Sequence, residues 1–242
     1  SDWIGQTAGV ELSSGPLALV GSGEYLPSML SIERDLLSGR SPRYVQLATA
    51  AAPEGQVSLD HWHALGAAQA QRLGVEQVVI DVRTRADADD PRWVDLITGA
   101  GLVYLSGGNP SYLVQTLRDT LVWQAIESQW RAGAALAGCS AGAMAMAGSV
   151  PSLRHPFGGG ESGLGLVPDI SVLPHFDRMG AWVPAPVLRA LSGRHGPRTI
   201  GIDEETAMVG YQGRWIARGR QRVWVFGADG RTSFGDGEEV AW

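Results

Sequence analysis

The sequence contains no lysine: all 19 basic residues among its 242 are arginine. GC-rich coding bias accounts for such an absence, but the chemical consequence stands. A Schiff-base lysine, a lysine general base and the lysine of a phosphate-binding loop are all excluded. There is one cysteine, Cys139. An internal disulfide and a cysteine-rich metal site are therefore excluded too, and a reducing compartment is compatible with the count. No apolar run approaches the ~18 residues that cross a membrane. Residues 1–15 lack a basic stretch followed by an apolar one, so no signal peptide is expected. Positive charge is not in excess either. The formal net charge of −6 offers no electrostatic footprint for nucleic acid or an anionic membrane surface. The expectation is a soluble cytoplasmic protein, a monomer or homodimer, that binds neither nucleic acid nor membrane and uses no metal or organic cofactor.

What is present is ordinary globular composition, 44% hydrophobic and 18% charged, which suits a single domain over 1–242. Short apolar runs alternate with helix-length segments. Strands are predicted at 17–20, 44–48, 78–82, 102–105 and 134–137. Helices are predicted at 57–73, stopped by Gly74, and at 91–98, 111–117 and 120–132. Continuous apolar strands between helices imply a largely parallel sheet covered on both faces. The fold class expected is an α/β three-layer sandwich with a largely parallel central sheet, of the flavodoxin-like kind. Near the C-terminus, 208–211, 214–217 and 223–226 are separated by Gln212-Gly213 and Gly219-Arg220. They read as an antiparallel hairpin or meander at one sheet edge. Ligands in such sheets bind beyond the carboxyl ends of the parallel strands.

One of those ends carries Gly138-Cys139-Ser140-Ala141-Gly142. Gly-x-Ser-x-Gly between a strand and a helix is the pattern of a nucleophile elbow. A sharp turn there lifts the serine hydroxyl above the sheet. The amide of Ala141, at the helix N-terminus, is then suited to a developing oxyanion. The bland alternative is that Ser140 merely caps the helix. Cys139 is a rival nucleophile, but it stands one position early, and a buried structural role is commoner for cysteine.

A serine nucleophile needs a general base. His61 and His63 lie two apart in a predicted helix and do not share a face. His195 sits in a Gly-Pro turn and His155 in a Gly-rich loop over 151–165. His175 follows the apolar run 170–174 at a strand end and is the strongest geometric candidate. Gly201-Ile202-Asp203-Glu204-Glu205 brings acids to another strand end. Glu204 is the first choice to orient the imidazole, with Asp177 and Glu205 as alternatives. Gly107-Gly108, after the fourth strand, could bring a second amide to the oxyanion or could form a plain turn.

Four segments in register carry a resemblance: Ser106-Gly107-Gly108-Asn109-Pro110, Gly138-Cys139-Ser140-Ala141-Gly142-Ala143, Pro174-His175-Phe176-Asp177 and Gly201-Ile202-Asp203-Glu204-Glu205-Thr206-Ala207. Together they resemble peptidase family S51 over about 17–226. The resemblance implies an amidotransferase-like fold and a triad of Ser140, His175 and Glu204. It also implies Gly108 and Ala141 as oxyanion donors. Within the family, dipeptidase E cleaves dipeptides with N-terminal Asp, and cyanophycinase cleaves β-linked Asp-Arg units. The single Arg178 after His175 and Gly-Gly-Asn-Pro after the fourth strand depart from the cyanophycinase pattern, whereas Asn109 agrees with dipeptidase E. The expected activity is hydrolysis of short peptides through an acyl-enzyme, with Asn109, Arg178 and Asp177 facing substrate. Another amidase, esterase or glutaminase reaction at Ser140, or a non-catalytic binding module, remains an alternative.

Overall fold

A computed structural model describes residues 14–151, 160–179, 186, 197–227 and 230–242. The first half of the chain alternates strand and helix. In order come β1 (Leu17–Val20), α1 (Leu30–Leu37), β2 (Arg43–Leu47), α2 (Gln56–Leu73), β3 (Glu76–Val79), α3 (Arg85–Ala88), α4 (Arg92–Ile97), β4 (Leu102–Leu105), α5 (Pro110–Leu117), α6 (Leu121–Arg131) and β5 (Ala135–Cys139). Then follow α7 (Ala141–Met146), β6 (Ala147–Val150), β7 (Glu161–Ser162), β8 (Val167–Leu173), α8 (Phe176–Met179) and β9 (Arg198–Ile202). Four strands finish the chain: β10 (Thr206–Tyr211), β11 (Arg214–Gly219), β12 (Val223–Gly227) and β13 (Gly230–Phe234).

Seven strands form one sheet in the order β11-β10-β1-β5-β4-β2-β3. The five from β1 to β3 are mutually parallel. The three central strands β1, β4 and β5 carry no charged residue and are buried at every position because both faces are covered, whereas β2 and the edge strand β3 carry Arg43, Gln46, Glu76 and Gln77. Val103 and Leu105 of β4 pack into one cluster with Leu17, Leu47 and Leu136, while Leu102 and Tyr104 pack into another with Ala18, Tyr44 and Ala137. Complete burial of each Leu contributes about 1.5–3 kcal/mol. The covering helices have local causes as well. Gly74 adopts φ 70° in the left-handed region and stops α2. The Thr120 hydroxyl accepts from the Trp123 amide and starts α6, which buries Val122, Trp123, Ile126 and Trp130.

The expected α/β class and parallel sheet are observed, and β10–β11 is an antiparallel hairpin on the β1 edge. A second sheet was not expected. It has six strands in the order β13-β12-β9-β8-β6-β7. The strand read as the third of a C-terminal meander, β12, leaves the hairpin and pairs antiparallel with β9. After β11 the Arg222 amide donates to Asp203 Oδ2 at 3.1 Å, which turns the chain toward β9. β6 starts with no residue intervening after α7, within a run of small residues that carries no strand signal. Among the described residues no helix is long and apolar enough to cross a membrane.

Candidate active site

The carboxyl ends of β1, β4 and β5 lie side by side, and each continues into a tight turn. After β5 the chain bends at Ser140, whose φ of 50° and ψ of −106° no unstrained serine adopts. The bend is held at both ends. The Ser140 amide donates to the Val20 carbonyl at 2.9 Å, and the Ser140 carbonyl accepts from the Met144 amide at 3.0 Å. The flanking glycines are required by close approach. A Cβ on Gly138 would lie 2.6 Å from the Gly142 carbonyl carbon, and one on Gly142 would collide with the Leu105 carbonyl oxygen. The elbow therefore pins α7 against the ends of β4 and β5.

Across the turn stands His175, between β8 and α8, also at positive φ (48°). Its Nε2 is 3.1 Å from Ser140 Oγ. Its Nδ1 is 3.0 Å from Glu204 Oε1. With Nδ1–H donating to the carboxylate, Nε2 presents a lone pair to the serine hydroxyl. Of the acids left open by the sequence, Glu204 is the one in contact with the imidazole. Asp177 instead accepts from the Glu204 amide at 2.9 Å and from Gln221 Nε2 at 3.1 Å. Glu205 turns away to pair with Arg220 at 3.0 Å. Arg178, expected to face a substrate carboxylate, has its Nε 3.0 Å from Glu204 Oε2. Asp177 and Arg178 thus both hold Glu204, one by its backbone and one by its side chain.

The two-glycine turn after β4 lies against the elbow. A Cβ on Gly107 would sit 3.6 Å from the Ser140 Cβ. Gly108 has φ 138° and backs onto the Ala50 carbonyl, so only glycine fits. Asn109 caps α5, its Oδ1 accepting from the Tyr112 amide at 3.0 Å. Ala141 is buried at the first position of α7, where an amide has no partner within the helix. This arrangement can deprotonate a hydroxyl and offer amides to an oxyanion.

Cys139 is fully buried, and its thiol donates to Glu24 Oε2 at 2.8 Å. Burial, then the Glu24 charge, pushes the thiol pKa well above its usual value. It is a poor nucleophile in this setting. His61 and His63 fall on α2, and His155 and His195 lie outside the described residues. Glu24 escaped the sequence reading. The signal was a charged residue directly after Gly21-Ser22-Gly23, at the same sheet end as the other candidate segments. A cleft of about 530 Å³ opens beyond Asp177, lined by Phe176, Asp203, Arg222, Trp224 and Arg231 among others. Asp203, at its base, accepts from Trp224 Nε1 at 3.0 Å.

The chain is similar to known proteins. The cyanophycinase of a Nostoc strain is 32% identical over 164 residues, 60% of this chain and 51% of that protein. The cyanophycinase of Geminocystis herdmanii is 30% identical over 152 residues, 57% of this chain and 53% of that protein. The chain thus spans about half the length of the curated relatives it matches. The crystal structure of a peptidase from an acI-B1 actinobacterium superposes with a TM-score of 0.87 at 37% identity, over 95% of this chain and 97% of that one. The model of peptidase family S51 matches residues 17–216, and on that span the chain belongs to peptidase family S51.

Proposed function

We propose that this chain is a serine peptidase that hydrolyses short peptides through an acyl-enzyme on Ser140. The observation that carries the reading is the unbroken relay from Ser140 Oγ to His175 Nε2 and from His175 Nδ1 to Glu204, at 3.1 and 3.0 Å. In the first half-reaction His175 Nε2 takes the hydroxyl proton as Ser140 Oγ bonds to the scissile carbonyl carbon. The carbonyl oxygen becomes an oxyanion, received by the amides of Gly108 and Ala141. Glu204 stabilises the imidazolium so formed. The C–N bond breaks as His175 returns its proton to the departing amine. Water, deprotonated by the same nitrogen, then releases the acyl group and restores Ser140.

The substrate we propose is a dipeptide or similarly short peptide, with N-terminal Asp as the first candidate. The Gly-Gly-Asn pattern after β4, which agrees with dipeptidase E, supports it, while the Asn109 Oδ1 itself caps α5. The cyanophycinases among the relatives make β-linked Asp-Arg chains the competing substrate, but only Arg178 follows His175 closely, and Glu204 already engages it. A panel of dipeptides, tripeptides and β-Asp-Arg polymer, with products identified by mass spectrometry, tests the assignment. Cleavage of short α-peptides that disappears in Ser140→Ala supports it. Cleavage of the polymer alone would overturn the substrate, and turnover undiminished in Ser140→Ala would overturn the mechanism.

A further inference from the structure

The turn after β1 grips the two turns that meet at Ser140, and the gripping side chain is Glu24. It is 7% exposed. Its Oε1 accepts from the Gly107 amide at 3.0 Å, and its Oε2 accepts from the Cys139 thiol at 2.8 Å. One carboxylate thus ties the residue before Gly108 to the residue before Ser140. Two donors arrive from two directions, and each meets one oxygen of the carboxylate; the Gly107 amide needs only the one that reaches it. The neighbouring residue reinforces the grip, since the Tyr25 and Ser106 hydroxyls are 2.6 Å apart. Tyr25 holds φ 63° to make that contact, a conformation that persists only where its surroundings enforce it.

Of the three amides in the 107–109 turn, the outer two are committed. Gly107 donates to Glu24, and Asn109 donates to the Ala50 carbonyl at 2.8 Å. The 106–107 and 108–109 peptides are therefore held, one on each side of the 107–108 peptide that carries the Gly108 N–H. We propose that Glu24 is a positioning residue: by holding the Gly107 amide it sets the orientation in which Gly108 presents its own N–H to the oxyanion. This rests on the reading of Ser140 as the nucleophile. Glu24 acts through the backbone and touches no reacting atom. Reach, not charge, is the property that matters.

The test is the rate at which a fluorophosphonate phosphonylates Ser140, resolved into a maximal rate and a half-saturating concentration, in wild type and three variants. The adduct places a phosphoryl oxygen where the oxyanion would sit. Glu24→Gln keeps an oxygen within reach of the Gly107 amide and is expected to hold the maximal rate within about fivefold. Glu24→Asp keeps the charge but withdraws it by one C–C bond, about 1.5 Å. It is expected to lose 10- to 100-fold, below the ~10²–10³ of deleting an oxyanion donor outright. Glu24→Ala is expected to lose at least as much, and in every variant the half-saturating concentration stays within about threefold. If Glu24→Ala fails to fold, the Gln and Asp pair decides alone. Equal rates in Gln and Asp, or a slower Gln than Asp, overturn the proposal, as does a loss confined to the half-saturating concentration. An unlabelled wild type, or a Ser140→Ala variant labelled equally fast, would instead overturn the nucleophile.

Discussion

Ser140 and His175, partners across a 3.1 Å contact, share a positive φ, uncommon outside glycine: 50° in one and 48° in the other. The described residues contain six non-glycine positions with positive φ, and four are Tyr25, Ser140, His175 and Glu205. All four are site residues or neighbours of one. Strain of this kind costs of order 1–3 kcal/mol per residue and survives where the surrounding structure over-determines it.

Backbone strain at His175 can be separated from its chemistry. Asparagine tolerates positive φ and valine does not. His175→Asn is expected to unfold within about 1 kcal/mol of wild type, and His175→Val at least ~1 kcal/mol below the Asn variant. Both should lose activity by roughly 10³-fold or more. Urea denaturation beside peptide turnover checks this, and equal stability of the two variants would remove the strain.

Glu204 has two side-chain partners of unequal weight, Arg178 and His175. Arg178 is 75% exposed, and an exposed pair of that kind contributes about 0–1 kcal/mol. His175 is about half as exposed, at 38%, and its contact with Glu204 fixes the tautomer. Glu204→Gln should therefore cut kcat by roughly 10²–10⁴-fold, while Arg178→Ala changes it less than about tenfold. Steady-state kinetics on a cleaved peptide decides, and an Arg178 effect equal to that of Glu204 would mean that Arg178 meets the substrate.

Cys139 should be inert in the folded protein. Its thiol is buried and its pKa is raised by desolvation and then by Glu24. Iodoacetamide at pH 8 is expected to leave native protein unlabelled and to label it fully in denaturant, as read by intact mass. Rapid alkylation of the native state would reopen the cysteine as a nucleophile.

Below the parallel sheet, Glu33 is buried beside Tyr44, whose hydroxyl donates to its Oε2 at 3.0 Å. Desolvation is the largest influence and lifts its pKa from 4.5 to about 7, against the opposing pull of Tyr44, Gln69 and Arg72. The folded state holds this proton more tightly than the unfolded chain. The stabilisation is fully present below pH ~4.5 and is lost as pH rises through about 7, an effect of order 3 kcal/mol. Relative to wild type, Glu33→Gln should gain stability between pH 5 and 8. A constant difference across that range, measured by urea denaturation, would contradict the burial argument.

The legible parts of the chain were those where a local rule has one outcome. β1, β4 and β5 are short, apolar on both faces and closed by glycine turns. The elbow needs small residues around Ser140, and His175 and Glu204 each follow a strand end. What the sequence concealed depends on partners far along the chain. The turn 219–222 resembles 212–213, yet one crosses between sheets and the other stays within one. α7 gives way to β6 inside a run of Ala, Met and Gly that has no period to read. Arg178 looked free for substrate because its distance to Glu204 is a property of the fold. Glu24 looked like a loop acid because its partners are backbone and thiol groups 83 and 115 residues away.

The measurement that bears most directly on the account is the site of fluorophosphonate attachment, mapped by mass spectrometry on the folded protein. The account predicts a single adduct on Ser140, absent in Ser140→Ala and formed at least 100-fold more slowly in His175→Asn. An adduct on another residue, or one that forms on Ser140 at an unchanged rate without the imidazole, would contradict it.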